Sequence, residues 1–379
     1  MRILAHELKK IFNIKTIILL ILINIIMYFL FTEYDINSFT INRPSYDIYK
    51  MFVEMEEAYG EFMDEEEFQD FIIKYEEAIK EADAYIQSRE DFKRAGVNNY
   101  EDFINMDREN EDLNQLYYDV VFDKGIDVFW QLPWRKEYIK YYENREELML
   151  AQAANEKQEL RVKEILDKGL ETSVFNHAVF FNYNSLMKSV STSILVSVMF
   201  IITPIYLRDN KDKINYLQYT SKIGRRIFKK KLLAGLLATF ILVTIQFICF
   251  FSIYSTNNTS MFFNKNINSI YNTIISWYDL TFIHYITISV IGTYILALAI
   301  TLISMLVSSL GQSYIAVIGI QLPIGFFIII TASRYLINYM TSISYPKYFL
   351  ELAYVVLILI SLILMITRWK KEKQADILY

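Results

Sequence analysis

Residues 16–32 read TIILLILINIIMYFLFT, an apolar run interrupted by one amide, Asn24. A hydrocarbon core about 30 Å thick is crossed by roughly 17–25 apolar residues in helical form, because every backbone polar group must be satisfied within the helix. The run is long enough to cross. A basic leader precedes it, with Arg2, Lys9, Lys10 and Lys15. The segment on its C-terminal side is strongly acidic: residues 33–183 hold 36 acidic and 17 basic side chains, a net of −19. The rest of the chain carries +14, so the overall charge of −5 conceals two opposite electrostatic objects.

Five more runs pass the same length test: residues 186–206, 232–254, 282–307, 314–330 and 348–367. One such run can be a buried helix of a soluble core. Six, in a chain that is 54% apolar, describe a membrane body. The first run offers no small-residue cleavage site in Met27-Tyr28-Phe29-Leu30-Phe31, so it reads as a retained signal-anchor. The expected fold is an all-α membrane protein with six transmembrane helices. A helical extracellular domain, residues 33–185, is expected between spans 1 and 2.

Lys and Arg favour the cytoplasmic side of short loops. They gather in the leader, in residues 208–231 (nine basic, two acidic), and in the tail at Arg368, Lys370, Lys371 and Lys373. Threading six helices in alternation puts all three segments on one side, with both termini inside. Residues 255–281 form a neutral outer loop, Lys265 against Asp279. Arg334 and Lys347, after span 5, run against the bias, and the inner loop 308–313 is uncharged. A long acidic domain translocates largely regardless of its charge. Abundant Ile, Asn, Lys and Tyr fit a low-GC bacterial genome, and hence a bacterial plasma membrane.

The insert reads as helical. Phe68, Ile72, Tyr75, Ile79, Ala82 and Ile86 recur at spacings of 4, 3, 4, 3 and 4, a heptad stripe. Asp64 and Glu67 resemble a capping box, and Asn99 with Asp102 suggests a helix start after a turn at Gly96. A long polar helix is expected over residues 135–168, breaking near Gly169. The acidic surface is either a solvated face or a docking surface for a cationic ligand. Phe129, Trp130 and Trp134 around Pro133 suit packing or an interfacial anchor. The lone cysteine, Cys249, lies in span 3, so the insert must fold without a disulfide.

No catalytic or metal-binding constellation is legible. His6, His177 and His284 are far apart, and His6-Glu7 is followed at the zincin spacing by Lys10. No glycine precedes a lysine, so no phosphate-binding P-loop exists. Polar groups within spans are few: Asn24, Gln246, His284, Gln321 and Glu351, the last near enough to a span end to reach water. An ion-coupled carrier needs more intramembrane ionisable groups. Pro323, between Gly319 and Gly325, marks a kink in span 5 that serves either as a gate or as a fixed bend.

Residues 207–233 read LRDNKDKINYLQYTSKIGRRIFKKKLL. The stretch resembles the loop between spans 2 and 3 of the ABC-2 type transporter permease family, where a Thr-Ser-x-x-Gly-Arg-like segment precedes a Lys-Leu entry into the membrane. Thr220, Ser221, Gly224, Arg225, Lys231 and Leu232 occupy the matching positions. The N-terminal segment, residues 1–15, resembles the family's amphipathic interface helix, with Leu4, Leu8, Ile11 and Phe12 on one face. One span, a large outer insert and five spans is a plan known in that family.

The resemblance implies a non-enzymatic permease subunit paired with a second permease subunit and driven by a separate ATPase. That ATPase would hold the ATP and magnesium, and no nucleic acid would be bound. Coupling would run through residues 207–231, chiefly Asn215, Leu217, Tyr219, Thr220, Ser221, Gly224 and Arg225. Spans with few charges favour a hydrophobic or amphipathic cargo: a peptide, an antimicrobial or a lipid-like compound. A non-transporting receptor or assembly protein, and a secondary carrier, are the other readings.

Overall fold

A computed structural model describes residues 2–39, 42–214 and 224–374. Asn215, Leu217, Tyr219, Thr220 and Ser221 of the expected coupling segment lie outside the described residues. In chain order the helices are α1 (Arg2–Ile11), α2 (Ile14–Phe31), α3 (Glu33–Phe39), α4 (Ser45–Tyr59), α5 (Glu65–Gln87) and α6 (Glu90–Ala95). Next come α7 (Tyr100–Ile104), α8 (Glu111–Tyr118), α9 (Asp127–Glu143), α10 (Arg145–Leu150) and α11 (Glu156–Asp167). The last are α12 (His177–Ile202), α13 (Pro204–Lys211), α14 (Ile227–Tyr254), α15 (Phe282–Leu310), α16 (Tyr314–Ala332) and α17 (Phe349–Gln374). Among the described residues there is no strand, only two isolated bridges. The all-helical expectation holds.

The chain divides into two compact units. The first comprises Met1–Asn37, Asn182–Asn258 and His284–Tyr379. Six helical stretches, α2, α12 with α13, α14, α15, α16 and α17, are long and apolar enough to cross a membrane, which fits a multi-pass membrane protein. The second span starts at His177, nine residues before the apolar run. Its foot is broken at Thr203-Pro204, where proline supplies no amide donor and takes the first position of α13. Ser308 of α15 caps that break from outside. Its hydroxyl donates to the Thr203 carbonyl (2.7 Å) and accepts from the amides of Tyr206 and Leu207 (both 3.1 Å).

The second unit comprises Ser38–Phe181 together with Thr259–Ile283. The segment read from the sequence as a neutral loop therefore packs with the acidic insert. Arg161, almost wholly buried, donates to the Ser276 carbonyl (3.0 Å) and to Asp279 (2.6 Å). Lys265 reaches Glu56 (3.1 Å) and the Gly60 carbonyl (2.7 Å). Ile267, Tyr271 and Ile275 are buried in this unit.

Local signals in the insert are realised. Asp64 accepts from the amides of Glu66 and Glu67 while Glu67 accepts from the Asp64 amide, completing the capping box of α5. Phe68, Ala82 and Ile86 of the stripe are buried, and Ile72, Tyr75 and Ile79 half-buried. Asn99 caps α7 by accepting from Asp102 N, after Gly96 turns the chain at a φ of 74°. The single helix expected over residues 135–168 is corrected to three. The chain ends α9 at Asn144 and leaves α10 through three-residue turns, Gln152 N to Met149 O and Ala153 N to Leu150 O. Asn155 then caps α11 by accepting from Gln158 N. Asparagine side chains compete for backbone groups, Asn144 for the Lys140 carbonyl and Asn155 for the Gln158 amide.

Candidate functional site

Hydroxyls and amides join the spans of the first unit. Asn24 of α2 donates to Ser197 Oγ of α12 (3.0 Å), and Gln246 Nε2 of α14 donates to Asn24 Oδ1 (2.5 Å) and to Ser197 Oγ (3.0 Å). Two of the intramembrane polar residues singled out from the sequence thus form one three-helix knot. Gln321 of α16 forms a second. Its Oε1 accepts from Thr203 Oγ1 (2.7 Å) and its Nε2 donates to Ser304 Oγ of α15 (2.8 Å). Further hydroxyl pairs continue the set: Ser191 with Thr293 (2.8 Å) and Thr239 with Thr301 (2.6 Å). Interhelical polar contacts in a bilayer contribute about 0.6 kcal/mol each on average, so they set register more than they supply stability. Glu351 is not part of this core; it is exposed in the first turn of α17.

Pro323 and the two glycines occupy different environments. Pro323 lines a cavity of about 710 Å³ bordered by α2, α12 and α16. Gly325 faces α12 so closely that an added Cβ would overlap the Met199 thioether, whereas one at Gly319 would meet nothing. Gly325 therefore abuts the flexible end of Met199, which would have to shift to admit a side chain there, and Gly319 abuts nothing.

A second site lies at the foot of the same unit. Glu7, Asp209 and Lys231 are each less than 5% exposed. Lys231 of α14 pairs with Asp209 of α13, lies 3.6 Å from Glu7 of α1, and donates to the Ile205 carbonyl (2.9 Å). Lys10 pairs with Glu7 at 3.0 Å and lies 3.9 Å from Asp209. Two cations and two carboxylates thus close around each other, which is the condition under which buried charge is tolerated. Of the expected interface-helix face, Ile11 is buried while Leu4, Leu8 and Phe12 are half-buried; the face also includes Glu7.

The basic tail reaches this end too. Arg368 of α17 donates to Ser309 Oγ and O (both 3.0 Å), Lys229 stands over the Trp369 ring (4.1 Å), and Arg225 donates to the Lys373 carbonyl. Gly224 and Arg225, the described members of the coupling set, form a short 3₁₀ turn entering α14, with Gly224 at a φ of 51°. The leader, the entry to span 3 and the end of span 6 therefore converge at one end. Lys231 stood in the sequence as a membrane-entry residue. Glu7 and Asp209 carried no signal beyond a charge of the rarer sign in a basic segment.

In the second unit a minority of the acidic groups are paired within the fold, Asp91, Asp119, Asp127 and Asp279 among them. A hydrogen bond from Arg89 holds the Asp91 carboxyl down at about 2. Lys50 and Arg43 lower Asp127 against the effect of its burial. Asp47 and Glu171 differ: both are buried and pushed above the usual carboxylate range by desolvation, with Arg43 at 3.6 Å from Asp47 and Arg145 at 3.8 Å from Glu171.

Comparison of the chain with protein-family models, with curated proteins and with solved structures finds no match.

Proposed function

We propose that this chain is the membrane-spanning permease subunit of an ATP-driven exporter of the ABC-2 type. It works with a second permease subunit and takes its energy from a separate ATPase. The cargo is hydrophobic or amphipathic and moves outward across a bacterial plasma membrane. Both termini are cytoplasmic, and the acidic insert lies outside. The observation that carries this reading is the buried cluster of Glu7, Lys231 and Asp209. It fastens an amphipathic N-terminal helix to the feet of spans 2 and 3, beside the basic segment expected to meet the ATPase. Force applied to that segment or to α1 is transmitted to α12–α13 and α14 as one body, because the charges cannot separate without being left unpaired in an apolar setting.

The test uses the full-length chain expressed with its membrane partners. Helix-in-groove docking relies on a few apolar anchors with peripheral charge, and truncating an anchor costs about 2 kcal/mol or more. Leu217→Asp and Tyr219→Asp should release or uncouple a co-purifying ATPase while membrane insertion is unchanged, and Arg225→Glu should weaken the same contact. Normal co-purification and normal ATPase activity in all three variants would discard the coupling assignment and favour the receptor reading.

A further inference from the structure

The 710 Å³ cavity is lined by Ile23 of α2, by Val196, Met199 and Phe200 of α12, and by residues of α16 from Tyr314 to Ile329. Of its polar lining, Thr203 and Gln321 are already engaged, since Thr203 donates to Gln321 and Gln321 donates to Ser304. Water needs two to four polar partners to remain against such walls, and the space is an open groove, with Ile318, Leu322 and Phe326 of its wall exposed. Hydrocarbon is the occupant that these walls accept.

At its foot the cavity meets a second recess of about 220 Å³; Pro204 and Tyr314 border both. Lys10, Lys15 and Arg208 line this recess together with Glu7 and Asp209. Three cations and two anions line the recess, and the two carboxylates are already engaged by Lys10 and by Lys231 behind them. Lys15 and Arg208 are exposed and make no ion pair among the described residues. From Tyr314 to Ile329 the groove wall runs fifteen residues of helix, about 22 Å at 1.5 Å per residue. That length exceeds the roughly 15 Å of one leaflet's hydrocarbon, half of a core about 30 Å thick. A groove with an apolar shaft longer than a leaflet is deep and a cationic mouth can hold an anionic amphiphile.

We propose that this groove is a binding site for an anionic membrane phospholipid. One acyl chain lies along Ile23, Met199, Ile318 and Phe326, and the phosphate sits between Lys15 and Arg208. The site does not depend on the chain being a permease. It requires only that α2, α12 and α16 stand in a bilayer. A lipid held there touches α2, α13 and the residues that carry the buried ion cluster, and so links lipid composition to the position of α1.

The experiment uses the full-length protein in mild detergent, with equal phosphatidylglycerol and phosphatidylcholine added, and counts bound lipids by native mass spectrometry. The wild type should retain one lipid with a preference for phosphatidylglycerol of about thirtyfold, as expected for two cations at a membrane surface. Lys15→Glu with Arg208→Glu should abolish that preference. Lys370→Glu with Lys371→Glu, which reverses two exposed cations elsewhere at the same end, should leave it unchanged. Ile318→Trp and Met199→Trp should lower retention of both lipids; Ile318 is 44% exposed, so its substitution leaves the packed core alone. The proposal fails if the Lys15/Arg208 variant keeps its preference, if the Lys370/Lys371 variant loses as much, or if filling the cavity leaves retention unaltered.

Discussion

Lys231 shows what one side chain can do in a basic, membrane-proximal segment. Its ammonium is buried, yet it receives Asp209, Glu7 and a backbone carbonyl, so each of its donors has a partner within reach. Its neighbours Lys229 and Lys230 are exposed and do no such work. Removing one partner of a buried pair is costly because the other is left charged and dry. Lys231→Met should therefore lower the stability of the full-length protein by about 3 kcal/mol or more, read as a fall in melting temperature in detergent. Adding Asp209→Leu should recover much of that loss, since Glu7 retains Lys10 at 3.0 Å. Lys230→Met, one residue away, should change little. Equal effects at Lys230 and Lys231 would show that the cluster is not the anchor of α1.

Elements were legible in the sequence where their cause is local. Length and apolarity located the spans, and the amide and carboxylate caps at Asp64 and Asn99 located helix starts. The break of residues 135–168 into three helices was missed because Asn144 and Asn155 act through turn geometry that composition does not expose. The second unit was missed in part for a different reason. Its last piece, residues 259–283, lies far along the chain and joins through long-range contacts of Arg161, Lys168 and Lys265. The site was legible as single residues only: Asn24, Gln246 and Gln321 were visible as amides in apolar runs, but Ser197, Thr203 and Ser304 are unremarked hydroxyls until folding pairs them.

The clasp between α11 and residues 259–283 can be tested by pH. Burial alone would raise the Asp279 carboxyl, but hydrogen bonds from Lys168 and Arg161 outweigh it and hold the group below its ordinary 3.8. A carboxylate whose pKa is lower folded than unfolded adds stability that is fully present above 3.8 and is lost as pH falls through the folded value. Asp279→Asn should thus cost about 1 kcal/mol at neutral pH, the figure discounted because the Asp279 side chain is 36% exposed. The gap between wild type and variant should close in acid below pH 3.8. Limited proteolysis of the full-length protein across pH reads this out, and a gap that persists at low pH would remove the clasp's electrostatic account.

At the scale of the whole molecule, charge separates along the chain. The acidic residues belong overwhelmingly to the second unit, and the basic segments gather at one end of the first, where α1, α13, α14 and the end of α17 meet. In chain order, the two segments of the second unit follow α2 with α3 and follow α14. If the basic end is cytoplasmic, as proposed above from the bias of Lys and Arg, residues 38–181 would be delivered to the outer face. Cys249 is exposed and is the chain's single thiol, so a background without it accepts reporter cysteines cleanly. Lys230→Cys, at an exposed position beside the buried Lys231, should react with a membrane-impermeant thiol reagent only after cells are opened. Ser88→Cys, exposed at the end of α5, should react in intact cells. The two sites sit in opposite electrostatic surroundings, and a reagent added from outside distinguishes them without disturbing either unit. Labelling of Lys230→Cys in intact cells, with Ser88→Cys protected, would overturn the proposed orientation.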